Sequence, residues 1–171
     1  MTKTAQKTPA KDNATLIFRV SIYEDWRTDC ACIREIEITP EKTLEKLAQG
    51  IIRAFDFDFD HAFGFYSSLE DYYNDAQERY ELFVDMDVMD GVETENRHGG
   101  KLEGVMNTCI RDVFPTPGKQ MQFIFDYGDE WRFLVELTGY GNKTPGSRYP
   151  KTVRKTGVPP PQYADYDEDE A

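Results

Sequence analysis

The chain has 171 residues, 39% hydrophobic and 13% aromatic, and a formal net charge of −12. Such a length suits one domain that buries roughly two-thirds of its unfolded surface without a disulfide or metal staple, and the aromatic content excludes a wholly disordered chain. The charge opposes non-specific binding to nucleic acid or to an anionic membrane, since both are polyanions.

Residues 1–13 are polar and carry Lys3, Lys7 and Lys11, which predicts a disordered basic arm with no apolar core of a leader peptide. Apolar runs stay far below the ~20 residues needed to cross a bilayer. Three cysteines, Cys30, Cys32 and Cys109, are few and odd in number, so a reduced, cytoplasmic interior is expected. Cys30-Ala-Cys32 lacks further ligands at zinc-like spacing and is taken as ordinary strand or loop cysteines.

Leu16, Phe18, Val20 and Ile22 alternate with Arg19 and Ser21, the period of a half-buried strand. Ile36 and Ile38 alternate with Glu35 and Glu37, so Cys32–Ile38 pairs with the first strand as a hairpin. Leu44, Leu47, Ala48, Ile51, Ile52 and Phe55 then fall at i, i+3, i+4, i+7, i+8 and i+11, one apolar helix stripe that Pro40 or Thr43 can open. Phe55 to His61 alternates aromatic and acidic residues and is open to two readings, a strand or a turn pinned under the helix. Ala62–Tyr66 reads as a strand. Ser68 and Asp71 have capping-box spacing, with Leu69, Tyr72, Tyr73 and Ala76 behind them, which predicts a helix over 68–79. Glu81–Met86 reads as a short strand and Asp90–Gly104, with four glycines, as a loop.

Asn107 or Thr108 caps a short predicted helix with Ile110, Val113 and Phe114 inward, ended by Pro115. Met121, Phe123, Phe125 and Tyr127 alternate up one strand, and Trp131, Phe133, Val135 and Leu137 alternate down another, around a tight loop at Gly128-Asp129-Glu130. From Gly139 onward Gly, Pro and charge dominate, with Pro159-Pro160-Pro161 extended. The expected fold is therefore α+β: a mixed, mostly antiparallel sheet on one main helix plus a short helix, β-grasp-like in sending an N-terminal hairpin into a helix. Its domain spans residues 14–140, and 141–171 form a Pro-rich tail with an acidic end.

Charge is polarised. Asp56–Glu95 holds thirteen acids and one base, Arg79, equal to the whole net charge. Asn142–Lys155 holds five bases, Lys143, Arg148, Lys151, Arg154 and Lys155, and no acid, while residues 165–171 add five acids.

Each candidate site has two readings. His61, flanked by Asp58 and Asp60, suits a general base or ligand, and equally a structural histidine bonded to the Asp126 loop. Asp126, Asp129 and Glu130 around Gly128 suit a hard cation, and equally an Asx-type turn over a packed Trp131. The turn and the structural histidine are the preferred readings, so neither a metal nor a cofactor is expected. Asp85, Asp87 and Asp90 evoke a calcium loop but break its pattern at Met89, Asp90 and Asn96. They are candidates for binding a basic partner, with Lys151 and Arg154 candidates on the basic strip. No phosphate loop, dinucleotide fingerprint or nucleophile elbow occurs.

The run Phe123-Ile124-Phe125-Asp126-Tyr127-Gly128-Asp129-Glu130-Trp131 resembles the hairpin signature of the plasmid pRiA4b ORF-3-like family. Thr43–Phe55 resembles its helix, Asp58–Phe65 its D-x-D-H segment, and Tyr149-Pro150 with Gly157, Pro159, Pro160 and Tyr163 its C-terminal end. The resemblance covers roughly Leu16–Tyr163 and implies a compact α+β domain, some members being tied by their labels to plasmids or insertion-sequence passengers. It implies no activity. The chain departs from the pattern where relatives have further histidines, holding Phe63 after His61 and Arg132-Phe133 after Trp131, and where they have C-terminal cysteines. These departures weaken a histidine-built site.

The leading functional expectation is a non-enzymatic interaction module of plasmid or mobile-element type, with Asp56–Glu95 as the surface for a basic protein partner. Alternatives are a metal-assisted or nuclease-like accessory built on His61, Asp126 and Asp129, and an acidic mimic of nucleic acid. Contact with nucleic acid itself is disfavoured, none is expected with a membrane, and the oligomeric state is left open.

Overall fold

The computed structural model describes residues 13–23 and 31–163; the N-terminal arm, Cys30 and the acidic end lie outside the described residues. Eight strands form one sheet in the order β5-β4-β3-β6-β7-β1-β2-β8. They are β1 (Ala14–Ile22), β2 (Ile33–Ile38), β3 (Phe63–Tyr66), β4 (Glu78–Glu81), β5 (Lys101–Glu103), β6 (Gln120–Phe125), β7 (Trp131–Asn142) and β8 (Lys151–Thr156). Every neighbouring pair is antiparallel except β4 with β5. The helices are α1 (Leu44–Ala54), α2 (Leu82–Met89) and α3 (Ile110–Val113). This is the expected mixed, mostly antiparallel α+β architecture, with the N-terminal hairpin leading into the main helix.

The two hairpins follow the alternation of the sequence. Phe18 pairs opposite Ile36, and Phe123 opposite Phe133. The inward set, Phe18, Val20, Phe123, Phe125, Trp131, Phe133 and Val135, is fully buried. The Thr43 hydroxyl caps α1 by accepting from the Lys46 N–H, and Leu44, Leu47, Ala48, Ile51 and Ile52 bury the predicted stripe against the sheet. Each such Leu or Ile stabilises the fold by roughly 1.5–3 kcal/mol. Gly50 lets the helix approach the C-terminal segment: a Cβ there would stand 2.7 Å from the Pro150 ring. At the C-terminus of α1 the buried Arg34 donates from Nε to the Ala54 carbonyl at 2.8 Å and from Nη1 to Thr156 and Gly157. It thereby joins α1, β2 and the residues around the end of β8.

Four local expectations are corrected. Residues 68–77 form a closed turn instead of a helix, because Asp71 spends its carboxylate on the Tyr73 and Asn74 N–H groups and Ser67 accepts from Gln77 and Glu78. The chain then enters β4 in register with β3. Leu82–Met89 is a helix, not a strand, a known ambiguity of short apolar runs. The loop 90–104 contributes the short strand β5. Cys109, not Asn107 or Thr108, stands at the start of α3, and the Thr108 hydroxyl instead donates to the Gly104 carbonyl. In addition, β7 runs to Asn142 and the basic strip supplies β8, so the sheet extends beyond residue 140 into the expected tail.

Candidate functional site

Phe55–Asp60 is a turn, not a strand, with Phe55 and Phe57 tucked inward: Phe57 meets Trp131 edge-on with ring centres 4.6 Å apart, and the exposed Phe59 packs on Phe63. That packing turns the acids outward and sets His61 at the rim of the β6–β7 hairpin. His61 Nδ1 lies 2.7 Å from Asp60 Oδ1, and Nε2 lies 3.4 Å from Asp126 Oδ2. The Asp60 hydrogen bond, opposed by burial and aided by the charges of Asp126, Asp60 and Asp129, raises the His61 pKa above the ordinary histidine value. Tyr163 donates its hydroxyl to Asp60, and Gln162 accepts from the Asp58 N–H at 2.7 Å while donating to the Asp58 carbonyl. The Tyr163 bond, working against burial and with the His61 bond, lowers the Asp60 pKa. The same bond pushes the Tyr163 phenol up to about 12. Asp58 and Asp60 thus hold the chain's own C-terminal segment.

Asp126 is the hub of the hairpin loop. Its Oδ1 accepts the N–H groups of Gly128 and Asp129 at 3.0 and 3.3 Å, its backbone has φ +61°, and Glu130 follows with φ +49°. The expected Asx-type turn is present, but the left-handed residues are Asp126 and Glu130 and not Gly128. Trp131 packs beneath, fully buried. His61 and Asp126 are brought together, and both ring nitrogens and both carboxylate oxygens already have protein neighbours. Among the described residues no group of three or more His, Cys, Asp or Glu is arranged to hold a metal ion. Cys32 is buried, and burial pushes its thiol pKa up against the pull of Arg34.

The acids of 81–95 divide differently from expectation. Asp85 faces inward: its Oδ2 accepts the N–H of Val105 at 2.7 Å, and its carboxylate also reaches Met106. It organises the chain after β5 and presents no charge to a partner. Asp87 accepts from the Thr94 hydroxyl at 2.6 Å and is half-buried, while Asp90, Glu93 and Glu95 are exposed or nearly so. Between them α2 shows apolar side chains outward, with Phe83, Met86, Val88, Met89 and the following Val92 all exposed. Phe83 stacks on Tyr127 at 5.4 Å. Beside the helix lies a groove of about 390 Å³ lined by Val84, Val88, Met89, Met106 and Glu103.

Lys151 and Arg154 lie on β8 at the sheet edge. Arg154 Nε stands 4.0 Å from Glu35 of β2, and the Lys151 ammonium sits over the Tyr149 ring. The basic strip therefore meets the protein's own surface. Sequence reasoning passed over Phe83, Met86, Met89 and Gln162. An apolar run counted as a strand buries its residues; counted as a helix it has more apolar positions than one buried face can hold, and that excess was the available signal.

A family model described as plasmid pRiA4b ORF-3-like protein matches residues 16–165. No curated protein matches the chain. Among solved structures it is similar to a protein of unknown function from Methanosarcina mazei Go1, with a TM-score of 0.60 and 17% identity over 84% of this chain and 70% of that one. That likeness concerns the fold. No helix among the described residues is long and apolar enough to cross a membrane.

Proposed function

The chain belongs to the plasmid pRiA4b ORF-3-like family, and we propose that within it this protein is a non-enzymatic interaction module that receives a basic protein partner on α2. The observation carrying this reading is the outward apolar side of α2, Phe83, Met86, Val88 and Met89, set among Asp87, Asp90, Glu93 and Glu95. Exposed apolar patches rimmed by polar groups mark contact surfaces. Acids around such a patch steer a cationic partner and reject anionic ones. The groove beside Val88 and Met89 takes an aliphatic or aromatic anchor, with Glu103 at its border for a neighbouring Lys or Arg. His61 supports the same reading from the other side, since its ring is spent joining two segments of the fold.

A photo-crosslinking residue at Val88, in the full chain expressed in its host, tests this. A discrete basic protein crosslinked from Val88 but not from the exposed Thr138, and lost on Asp87→Lys with Asp90→Lys, is the expected result. Equal crosslinking from both positions, or an acidic or nucleic-acid partner, overturns it.

A further inference from the structure

A second hollow, sharing no residue with the α2 groove, opens between the start of α1 and the β7–β8 connection. Its volume is about 530 Å³, inside the range of small-ligand sites. Lys42, Lys143 and Arg148 line it, opposed by one acid, Glu41. In a chain of net charge −12 this is a local reversal of sign. Among the described residues none of these three cations has a carboxylate within 4.0 Å, whereas Lys101, Lys119, Arg97 and Arg132 all do. Thr39 lies in the lining, 3% exposed, with its hydroxyl beside the Glu41 carboxylate. Ser147 adds a second hydroxyl.

The surrounding loop is held in place. Lys143 N–H donates to the Asn13 carbonyl at 2.8 Å, Thr144 N–H to the Tyr149 hydroxyl at 2.9 Å, and Ser147 N–H to the Thr144 carbonyl at 3.1 Å. Three cations on a pinned loop and a helix entry suit a doubly charged phosphoryl group: the Arg148 fork spans two oxygens and the lysines neutralise the remainder. The hollow is far larger than a phosphate. Glu41 explains the additional room. Burial pushes its carboxyl up, but its own backbone N–H, the Thr39 hydroxyl nearby, Lys143 and Lys42 together bring it below the ordinary range, so it stays an ionised acceptor. An ionised carboxylate repels a bare anion and accepts from a sugar hydroxyl. We propose that this hollow binds a small phosphorylated sugar, its phosphate on Lys42, Lys143 and Arg148 and a hydroxyl on Glu41.

Calorimetry on the full chain with ribose 5-phosphate, inorganic phosphate and ribose tests the site. Ribose 5-phosphate should bind at least about tenfold more tightly than inorganic phosphate, and ribose not measurably, because only the first satisfies both ends. Arg148→Gln and Lys143→Gln should each weaken ribose 5-phosphate by about tenfold or more, with unchanged unfolding midpoints in the absence of ligand, while Lys151→Gln should leave binding intact. Glu41→Gln should weaken the sugar phosphate yet strengthen inorganic phosphate, a crossover that general loss of structure does not produce. Equal affinity for the two phosphates, equal weakening by Lys151→Gln, or no binding of ribose 5-phosphate overturns the proposal.

Discussion

His61 Nε2 stands 3.4 Å from Asp126 Oδ2, and that approach joins the turn after α1 to the β6–β7 hairpin. Because the folded His61 pKa lies above its unfolded value of about 6.5, the contact stabilises fully below that value and is lost as pH rises through the folded pKa. Asp60 works in the opposite direction: its lowered pKa contributes above about 3.9 and is lost as pH falls through the folded value. The expected outcome is a urea midpoint that declines as pH rises above about 6.5, a decline that His61→Gln flattens. An imidazole titration centred at or below about 6.5 by NMR contradicts it.

Asp85→Ala should be far costlier than Asp90→Ala. The first strands the N–H of the fully buried Val105 without its acceptor, a loss of about 2–3 kcal/mol. The second removes an exposed charge and should change stability by no more than about 0.5 kcal/mol. Denaturant unfolding of the two variants decides between an inward and an outward role for the acids of α2.

Gly50→Ala reverses the usual helix rule. Alanine gains about 1 kcal/mol in propensity, but its methyl would stand 2.7 Å from two ring carbons of Pro150, and overpacking of that kind costs about 1–3 kcal/mol. A net loss of about 1 kcal/mol is expected, and Pro150→Gly in the same chain, which removes both ring carbons, should relieve the clash. A stabilised Gly50→Ala variant would show that the Pro150 segment yields freely.

At the hairpin, Asp126→Ala should cost about 2–3 kcal/mol, combining two lost N–H acceptor contacts with a left-handed alanine. Asp126→Gly should recover about 1 kcal/mol of that. Gly128→Ala should be nearly silent, since its Cβ meets only Asp126 Oδ1 at 3.3 Å and Gly128 is not left-handed. Trp131→Ala, which empties the core beneath, should cost about 3–5 kcal/mol. Thermal or chemical unfolding ranks the four.

The elements legible in the sequence are those whose pattern and environment agree. Met121–Leu137 and Leu16–Ile38 alternate because one face is buried, and Leu44–Phe55 repeats like a helix because one stripe is buried. Leu82–Met89 is illegible for the complementary reason: its exposed side is as apolar as its covered side, so no period distinguishes helix from strand. Ser68-to-Asp71 spacing misleads because Asp71 turns its carboxylate to Tyr73 and Asn74 and closes the turn there. His61 with Asp126 is legible as a pair through the structural reading of the histidine. The hold of Gln162 on Asp58 joins residues 104 apart in the chain, beyond any local pattern.

The position of β1 sets a schedule for biosynthesis. Its ladder to β7 matches Ile22 with Phe133 and Ala14 with Asn142, partners 111 and 128 residues downstream. At ribosomal rates of about 5–20 residues per second, roughly 6–26 s separate the appearance of β1 from that of its central neighbour. Throughout that interval the nascent β1–β2 hairpin offers Phe18 and Val20 to whatever surrounds the ribosome, and its unmatched side remains a template for strand addition. Release factors acting early, or nonsense codons before residue 142, leave a fragment that has made its first hairpin and lacks the strand that closes it. Such fragments are substrates for holding chaperones and proteases, which makes the yield of this protein a function of translation speed as much as of final stability.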